Sequence, residues 1–374
     1  MNSKPKAYRP VLVLAPGVLA GAEKVVLTGL AALSSIGLNP LMVIIRETRI
    51  PHLAHDFEKM IPSHIDYRII DSTKALDIEL PKRLRESLQD QTLPLVLHSH
   101  GFKALIACYM SKGKHPHIHT HHGNTAHTFK VRIYEKIAMM TMKSCRVVVA
   151  VSYKMKDELE KSLRPFNRIV VIENMLSLKN AAKIRSERKN LVAQSEIIKL
   201  IYVGRISPEK GLLPFLTAWS MTPERKRFHL TVLGDGVDRA KAEAFARDNG
   251  LLEQMTFHGF VSDPSSYFTS PDVLIMPSLR EGLPMTLIEA LASGLPVIAN
   301  NVGAIASMVT HNHNGFFADD FSPESWVKVL RETLQNVSGW KKQAESEAQG
   351  IEERFSADSW AQKTRELYQK EINS

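Results

Sequence analysis

The sequence is short of several things, and each shortage closes off a class of protein. Its 374 residues include two cysteines, Cys108 and Cys145, too few for the disulfide framework of a small secreted domain. Both read as small buried apolar side chains. No apolar run approaches the ~18 to 20 residues that span a bilayer. The basic start, MNSKPKAYRP, is followed only by the apolar run Val11 to Ala15, too short for a signal peptide. Neither interleaved glycines and aromatics nor a zinc-finger spacing occurs, so a nucleic-acid partner is not expected. What remains is the profile of a cytoplasmic enzyme.

What is present fits that profile. Composition is 44% apolar and 23% charged, that of a globular protein long enough for two domains. The formal charge of +9 favours anionic partners such as sugar nucleotides or phospholipid surfaces. Because the excess is scattered and not gathered on one amphipathic helix, it leaves peripheral contact with the inner face of an anionic membrane open.

Short apolar strands alternate with helical stretches throughout. Strands are expected at Val11 to Ala15, Leu41 to Ile45, Leu95 to His98, His117 to Thr120, Arg146 to Val151 and Ile169 to Ile172, with a helix over about Ala22 to Ile36. After a polar, charge-rich stretch, a second series follows: Lys199 to Val203, Leu230 to Leu233, Met255 to His258, Val273 to Met276 and Pro296 to Ala299. Strands without polar alternation, separated by helices, predict parallel sheets covered on both faces. The expected organisation is a doubly wound domain over 1–180, a linker over 181–196 and a second such domain over 197–354. The helix over 355–374 is expected to return to the first domain. Ligands of such sheets sit at the carboxyl ends of the strands, which makes the cleft between the two domains the expected site.

Four constellations stand at strand ends in the second half. Gly204 to Gly211 (GRISPEKG) follows the strand ending Tyr202-Val203. Its glycine allows close approach to a ligand, and Arg205 and Lys210 offer a fork and a point charge suited to a diphosphate. A solvated basic turn is the plain alternative. Leu233-Gly234-Asp235-Gly236 is a weaker signal that an ordinary turn would equally explain. Phe260 and Val261 close a third strand with an apolar lip that could seat a planar base, or with packed core residues. Arg280 to Ala290 (REGLPMTLIEA) follows the fourth strand. There the main-chain N–H groups of Gly282, Leu283 and Met285 open a helix and can meet negative charge. Pro284 suits the first helical turn. Glu281 in the loop and Glu289 in the helix could accept hydrogen bonds from hydroxyls, or could simply flank a helix cap.

Taken together these residues resemble glycosyltransferase family 4, within the GT-B fold superfamily. Arg205 and Lys210 match the family's G-R-x4-K-G turn, and Glu281 and Glu289 its E-x7-E motif, in order and spacing. The likeness is strong over about Lys199 to Phe317 and looser before it. It implies a GT-B fold, two Rossmann-like domains facing each other, and a retaining, nucleotide-sugar-dependent transferase. Arg205 and Lys210 would hold the donor diphosphate and stabilise the leaving group, so no metal or other cofactor is required. Glu281 would bind hydroxyls of the transferred sugar, Glu289 the ribose, and the main chain at Phe260 and Val261 the base. In the first half, Ala20-Gly21-Ala22-Glu23 resembles the family's glycine-rich loop, with Ala20 where many members carry glycine. Gly21 would still bring its N–H to a phosphate. Thr120-His121-His122-Gly123 resembles the family's histidine before a small residue, which puts His122 at the donor–acceptor junction.

His115, His117, His119 and His121 alternate along one strand face, an arrangement that invites a metal. No cysteine or carboxylate stands at ligand spacing, so a polar-edged strand with one functional histidine is the better reading. His98, His100, His122 and Asn124 are assigned to the acceptor side. The expected reaction moves a hexose or N-acetylhexosamine, preferably from a UDP-sugar, to a hydroxyl of a surface glycan: lipopolysaccharide, capsule or a lipid-linked saccharide. A sugar-nucleotide 2-epimerase of the same architecture is one alternative, and would turn over donor without acceptor. A non-catalytic sugar-nucleotide-binding subunit is the other.

Overall fold

The computed structural model describes residues 7–17, 21–74, 77–123, 129–166, 168–176, 180–190 and 196–374. The chain forms two compact units, one of Met1–Ser177 with Phe355–Ser374 and one of Leu178–Arg354.

The strands of the first unit are β1 (Arg9–Leu14), β2 (Leu41–Glu47), β3 (Asp66–Ser72), β4 (Leu95–His100), β5 (His117–His121), β6 (Val147–Ala150) and β7 (Ile169–Val171). They form one sheet in the order β3-β2-β1-β4-β5-β6-β7, parallel throughout. Between them lie α1 (Gly21–Ser35), α2 (Pro51–Glu58), α3 (Leu80–Glu86), α4 (Phe102–Ser111), α5 (Phe129–Met142) and α6 (Tyr153–Leu163). The central strands are buried because both faces are covered: β1 at every position but its first, and β4 at every position, including the polar His98-Ser99-His100 that ends it. β3 was not legible as a strand. It is an edge strand, polar and mostly unburied (DYRIIDS), with little apolar pattern to betray it.

The second unit contains α7 (Ala181–Asn190), α8 (Leu212–Met221), α9 (Arg239–Asp248), α10 (Met285–Ala292) and α11 (Pro323–Arg354). Its strands are β8 (Ile198–Val203), β9 (Phe228–Leu233), β10 (Met255–Gly259), β11 (Val273–Met276), β12 (Val297–Asn300) and β13 (Gly315–Ala318). The sheet order is β10-β9-β8-β11-β12-β13, again parallel. Phe215, Trp219 and Trp326 anchor its core, the Phe215 and Trp326 rings meeting edge-on at 5.2 Å.

The stretch expected as a linker, 181–196, is helical over Ala181–Asn190 and belongs to the second unit. Its two arginines hydrogen-bond backbone. Arg185 donates to the Ala292 carbonyl at 2.7 Å and pairs with Glu352, also at 2.7 Å. Arg188 donates to the carbonyls of Phe268, Thr269 and Pro271. Guanidinium groups satisfy several carbonyls at once, so a helix of low hydrophobicity is held firmly.

After α11, the helix α12 (Ala357–Asn373) packs on the first unit. Trp360 lies against Gly29 of α1, where an added Cβ would come within 2.8 Å of its ring. Glu371 accepts from Arg146 at 2.9 Å and Arg168 at 3.0 Å. Cys108 and Cys145 are free and buried. Among the described residues no helix is long and apolar enough to cross a membrane.

Candidate functional site

In the second sheet the strand order reverses between β8 and β11, the place where an open parallel sheet leaves room for a ligand beyond its carboxyl ends. The turns after β8, β9 and β10 touch through glycines. The Gly234 N–H donates to the Gly259 carbonyl at 2.7 Å, and a Cβ on Gly234 would fall 1.8 Å from the Gly204 carbonyl oxygen. No other residue type permits that approach.

Beyond Gly204 the chain makes a short turn at Pro208–Lys210 that Gly211 closes with φ +70°. A Cβ on Gly211 would lie 2.0 Å from the Pro277 carbonyl oxygen, so this turn presses against the end of β11. That contact brings Lys210 to Glu281: Nζ donates to Oε1 at 2.7 Å, with the side chains 24% and 7% exposed. Arg205 is more open and reaches the buried Glu209 at 3.3 Å. The Tyr202 hydroxyl donates to the Arg205 carbonyl at 2.6 Å. Burial pushes that phenol well up, with Glu281 and Glu209 adding to the rise.

The Glu281 loop is braced from behind. Ala304 N–H donates to the Gly282 carbonyl at 2.9 Å. Gly303, at φ +57°, lies so close that a Cβ would stand 2.1 Å from the Glu281 carbonyl oxygen. Buried Asn300 donates to the carbonyls of Pro277 and Ser278 and accepts from Trp326 Nε1. Pro284 is the N-cap of α10, one place before the first helical turn where the sequence put it. Leu283, Met285 and Glu289 are buried, Glu289 to 3% exposure. Phe260 is 53% exposed, so it is not a core side chain; Val261 beside it is half-buried. Glycine edges and two ion pairs, Arg205 with Glu209 and Lys210 with Glu281, thus gather where the sheet opens. The cations can offset an anion, and the backbone N–H groups before α10 stand at the positive end of its dipole.

In the first unit the histidines divide between two layers. His117 Nε2 and His119 Nδ1 stand 2.8 and 3.0 Å from the Ser99 hydroxyl. Among the described residues no three His, Cys, Asp or Glu side chains are grouped to hold a metal. His98, assigned to the acceptor side, is 1% exposed, with Nδ1 2.6 Å from the Tyr368 hydroxyl and Nε2 2.7 Å from that of Thr120. With both nitrogens engaged inside, it supports the strand and offers an acceptor nothing. His100 is equally buried and meets half-buried His122, Nδ1 to Nε2, at 3.0 Å. Burial holds these rings neutral. His98 is pushed down to about 3, with His122 and His117 adding to the fall, and His122 to about 4, with His121 adding. Gly21 is the first residue of α1, and Glu23 in that first turn accepts from the Gly17 N–H at 3.0 Å. Asn124 and Ala20 lie outside the described residues.

Glu209, Asn300, Tyr368 and Thr364 escaped sequence reasoning. Glu209 lay inside the quoted turn, but nothing local marked it as the partner of Arg205. Asn300, a lone polar residue ending a buried strand, carried a signal. The two on α12 carried none.

A doubly wound sheet with cations and glycines at its switch point defines a class, the nucleotide-binding α/β proteins. Comparison with known proteins narrows it. The model of the family described as Glycosyltransferase Family 4 matches residues 20–179, and that of Glycosyl transferases group 1 matches 183–352. An uncharacterized glycosyltransferase of Methanocaldococcus jannaschii is 25% identical over 240 residues, covering 62% of this chain and 61% of its own. HepE of Anabaena, solved with UDP-glucose, superposes with a TM-score of 0.78 at 17% identity over 96% of this chain and 98% of its own. The lipopolysaccharide outer core galactosyltransferase WaaB superposes at 0.70, with 19% identity over 98% of each chain; at such identities these likenesses are of fold. The chain belongs to the family 4-type glycosyltransferases, with the GT-B fold. It spans between 39% and 61% of the length of the first curated relatives it matches.

Proposed function

We propose that the protein is a retaining glycosyltransferase that moves a hexose or N-acetylhexosamine from a UDP-sugar to a hydroxyl of a surface-glycan acceptor. The observation that carries this reading is the Lys210–Glu281 contact of 2.7 Å, with Arg205 on the same turn. It gives one place both a countercharge for a diphosphate and a carboxylate for sugar hydroxyls.

In this reading Arg205 and Lys210 neutralise the charge that grows on the leaving diphosphate, and no divalent metal is required. Glu281 orients the sugar, Glu289 the ribose, and the main chain at Phe260 and Val261 the base. His122 contacts the sugar at the donor–acceptor junction. The C1–O bond to phosphate breaks while the acceptor oxygen bonds C1 on the same face. The acceptor proton passes to the departing phosphate oxygen, and UDP leaves. HepE, solved with UDP-glucose, supports the choice of nucleotide, and WaaB, which acts on lipopolysaccharide, the class of acceptor. The net charge of +9 favours an acceptor at an anionic membrane surface.

Thermal shift with UDP-, GDP- and ADP-sugars tests the donor, since a bound ligand raises the melting point by mass action. A UDP-sugar that stabilises the protein, then transfers sugar in an acceptor-dependent way lost in Glu281→Ala, is the expected result. Donor turnover without acceptor would favour an epimerase, and unchanged transfer by Glu281→Ala would end the assignment.

A further inference from the structure

His122 is held by a side chain as well as by its backbone. Its Nε2 stands 3.0 Å from Nδ1 of His100, and the two rings stack 5.4 Å apart at 29°. Since two N–H groups cannot face each other at that distance, one ring donates and the other accepts. The nitrogen of His122 left for a ligand is Nδ1.

His100 is fixed in turn. It is 1% exposed, and its ring lies 4.5 Å from that of His98. Its Nε2 is buried with no hydrogen-bond partner among the described residues, and the same holds for the hydroxyl of Thr364 on α12, itself 0% exposed. Both residues line one small cavity with His98, Thr120, Asn174 and Trp360. A buried polar group without a partner is costly, so both atoms call for a small group able to donate and accept. A water-sized sphere finds about 10 Å³ of room there, the space of a single water molecule.

We propose that His100 is a positioning residue for His122, anchored to α12 by one buried water between His100 Nε2 and the Thr364 hydroxyl. The relay fixes which nitrogen of His122 meets the transferred sugar, and the inference rests on the sugar-facing role proposed above for His122. Thr364, 242 positions from His122 in the chain, thereby reaches the site without touching substrate.

The test uses the full chain and three substitutions. An asparagine amide falls where Nδ1 of His100 lies, whereas leucine has the size of asparagine without a polar atom. His100→Leu is expected to lower kcat/KM for the UDP-sugar by about 10- to 100-fold, the scale of loss when a metal-ligating histidine is deprived of the partner that orients it. His100→Asn is expected to restore most of it. Thr364→Val keeps the shape of α12 and removes only the hydroxyl. Nitrogen-15 spectra of histidine-labelled protein should show one tautomer of His122 in the parent, and a mixture in Thr364→Val and His100→Leu. An unchanged His122 pattern in both, or His100→Asn no more active than His100→Leu, overturns the relay. If no sugar nucleotide turns over, the proposed function falls, while the tautomer pattern still decides the relay.

Discussion

The Lys210–Glu281 pair lends itself to a double-mutant cycle. Two unit charges 2.7 Å apart attract by about 6 kcal/mol at an effective dielectric constant of 20, and withdrawal of both ions from water cancels most of that. Lysine keeps 24% of its side-chain surface in solvent and glutamate 7%, so the loss is unequal. Lys210→Met leaves a nearly buried carboxylate without its cation and should cost about 2–3 kcal/mol, below the range for fully buried pairs. Glu281→Gln keeps an acceptor for the ammonium and should cost about 1 kcal/mol. The double variant should fall short of the sum by a coupling of about 1–2 kcal/mol. Urea unfolding followed by tryptophan fluorescence reports mainly on the second unit, which holds Trp219, Trp326 and Trp340, against Trp360 in the first. A coupling below about 0.5 kcal/mol would show that the pair does not form in solution, and the structural basis of the proposed site would go with it.

Gly303→Ala should cost about 2–4 kcal/mol and abolish donor-induced thermal shift, because its Cβ would stand 2.1 Å from the Glu281 carbonyl oxygen at φ +57°; donor affinity equal to the parent's would contradict this. Acid should weaken the first unit: His98 and His117 are pushed down to about 3 and His122 to about 4, so the unfolded chain binds protons first. Stability is therefore whole above about pH 6.5 and falls as pH drops towards 4, by up to about 1.4 kcal/mol per pH unit for each histidine. Urea titrations at pH 7, 6 and 5, with unfolding of the first unit followed by hydrogen exchange of its strand amides, check the slope, and a flat midpoint refutes it. Gly29→Val should loosen α12, since the Cβ would meet the Trp360 ring at 2.8 Å. Limited proteolysis reads this as faster cleavage near the C-terminus.

Much of the candidate site in the second unit was legible because its signals are local. Gly204, Arg205, Lys210 and Glu281 stand immediately after apolar runs, and parallel strands place such residues together at one edge of the sheet. The edge strands β3 and β13 were missed because one is polar and the other, GFFA, opens on a glycine and carries no β-branched residue. α7 was misread because burial of arginine against carbonyls leaves no apolar period: only Ala181 and Ile184 of that helix are buried apolar residues. His98 shows the other limit. Its place at the end of an apolar strand was legible, but whether its ring meets an acceptor or Tyr368, 270 residues on, is a tertiary fact with no local trace.

That distance gives α12 a larger part than sequence reading allowed. Tyr368 engages His98, Thr364 borders His100, Trp360 fills the notch at Gly29, and Glu371 joins Arg146 to Arg168. Removal of 355–374 would strip a buried nitrogen of its partner, open the cavity beside His100 and leave two arginines unpaired at once. Contacts so close together in one unit do not fail independently. The expected outcome is loss of the histidine row as well as of stability, so Tyr368→Phe should weaken sugar transfer more than its single hydroxyl would suggest. Under the proposed function, a Tyr368→Phe protein with a lower melting point but parental kcat and KM would instead confine α12 to a structural role.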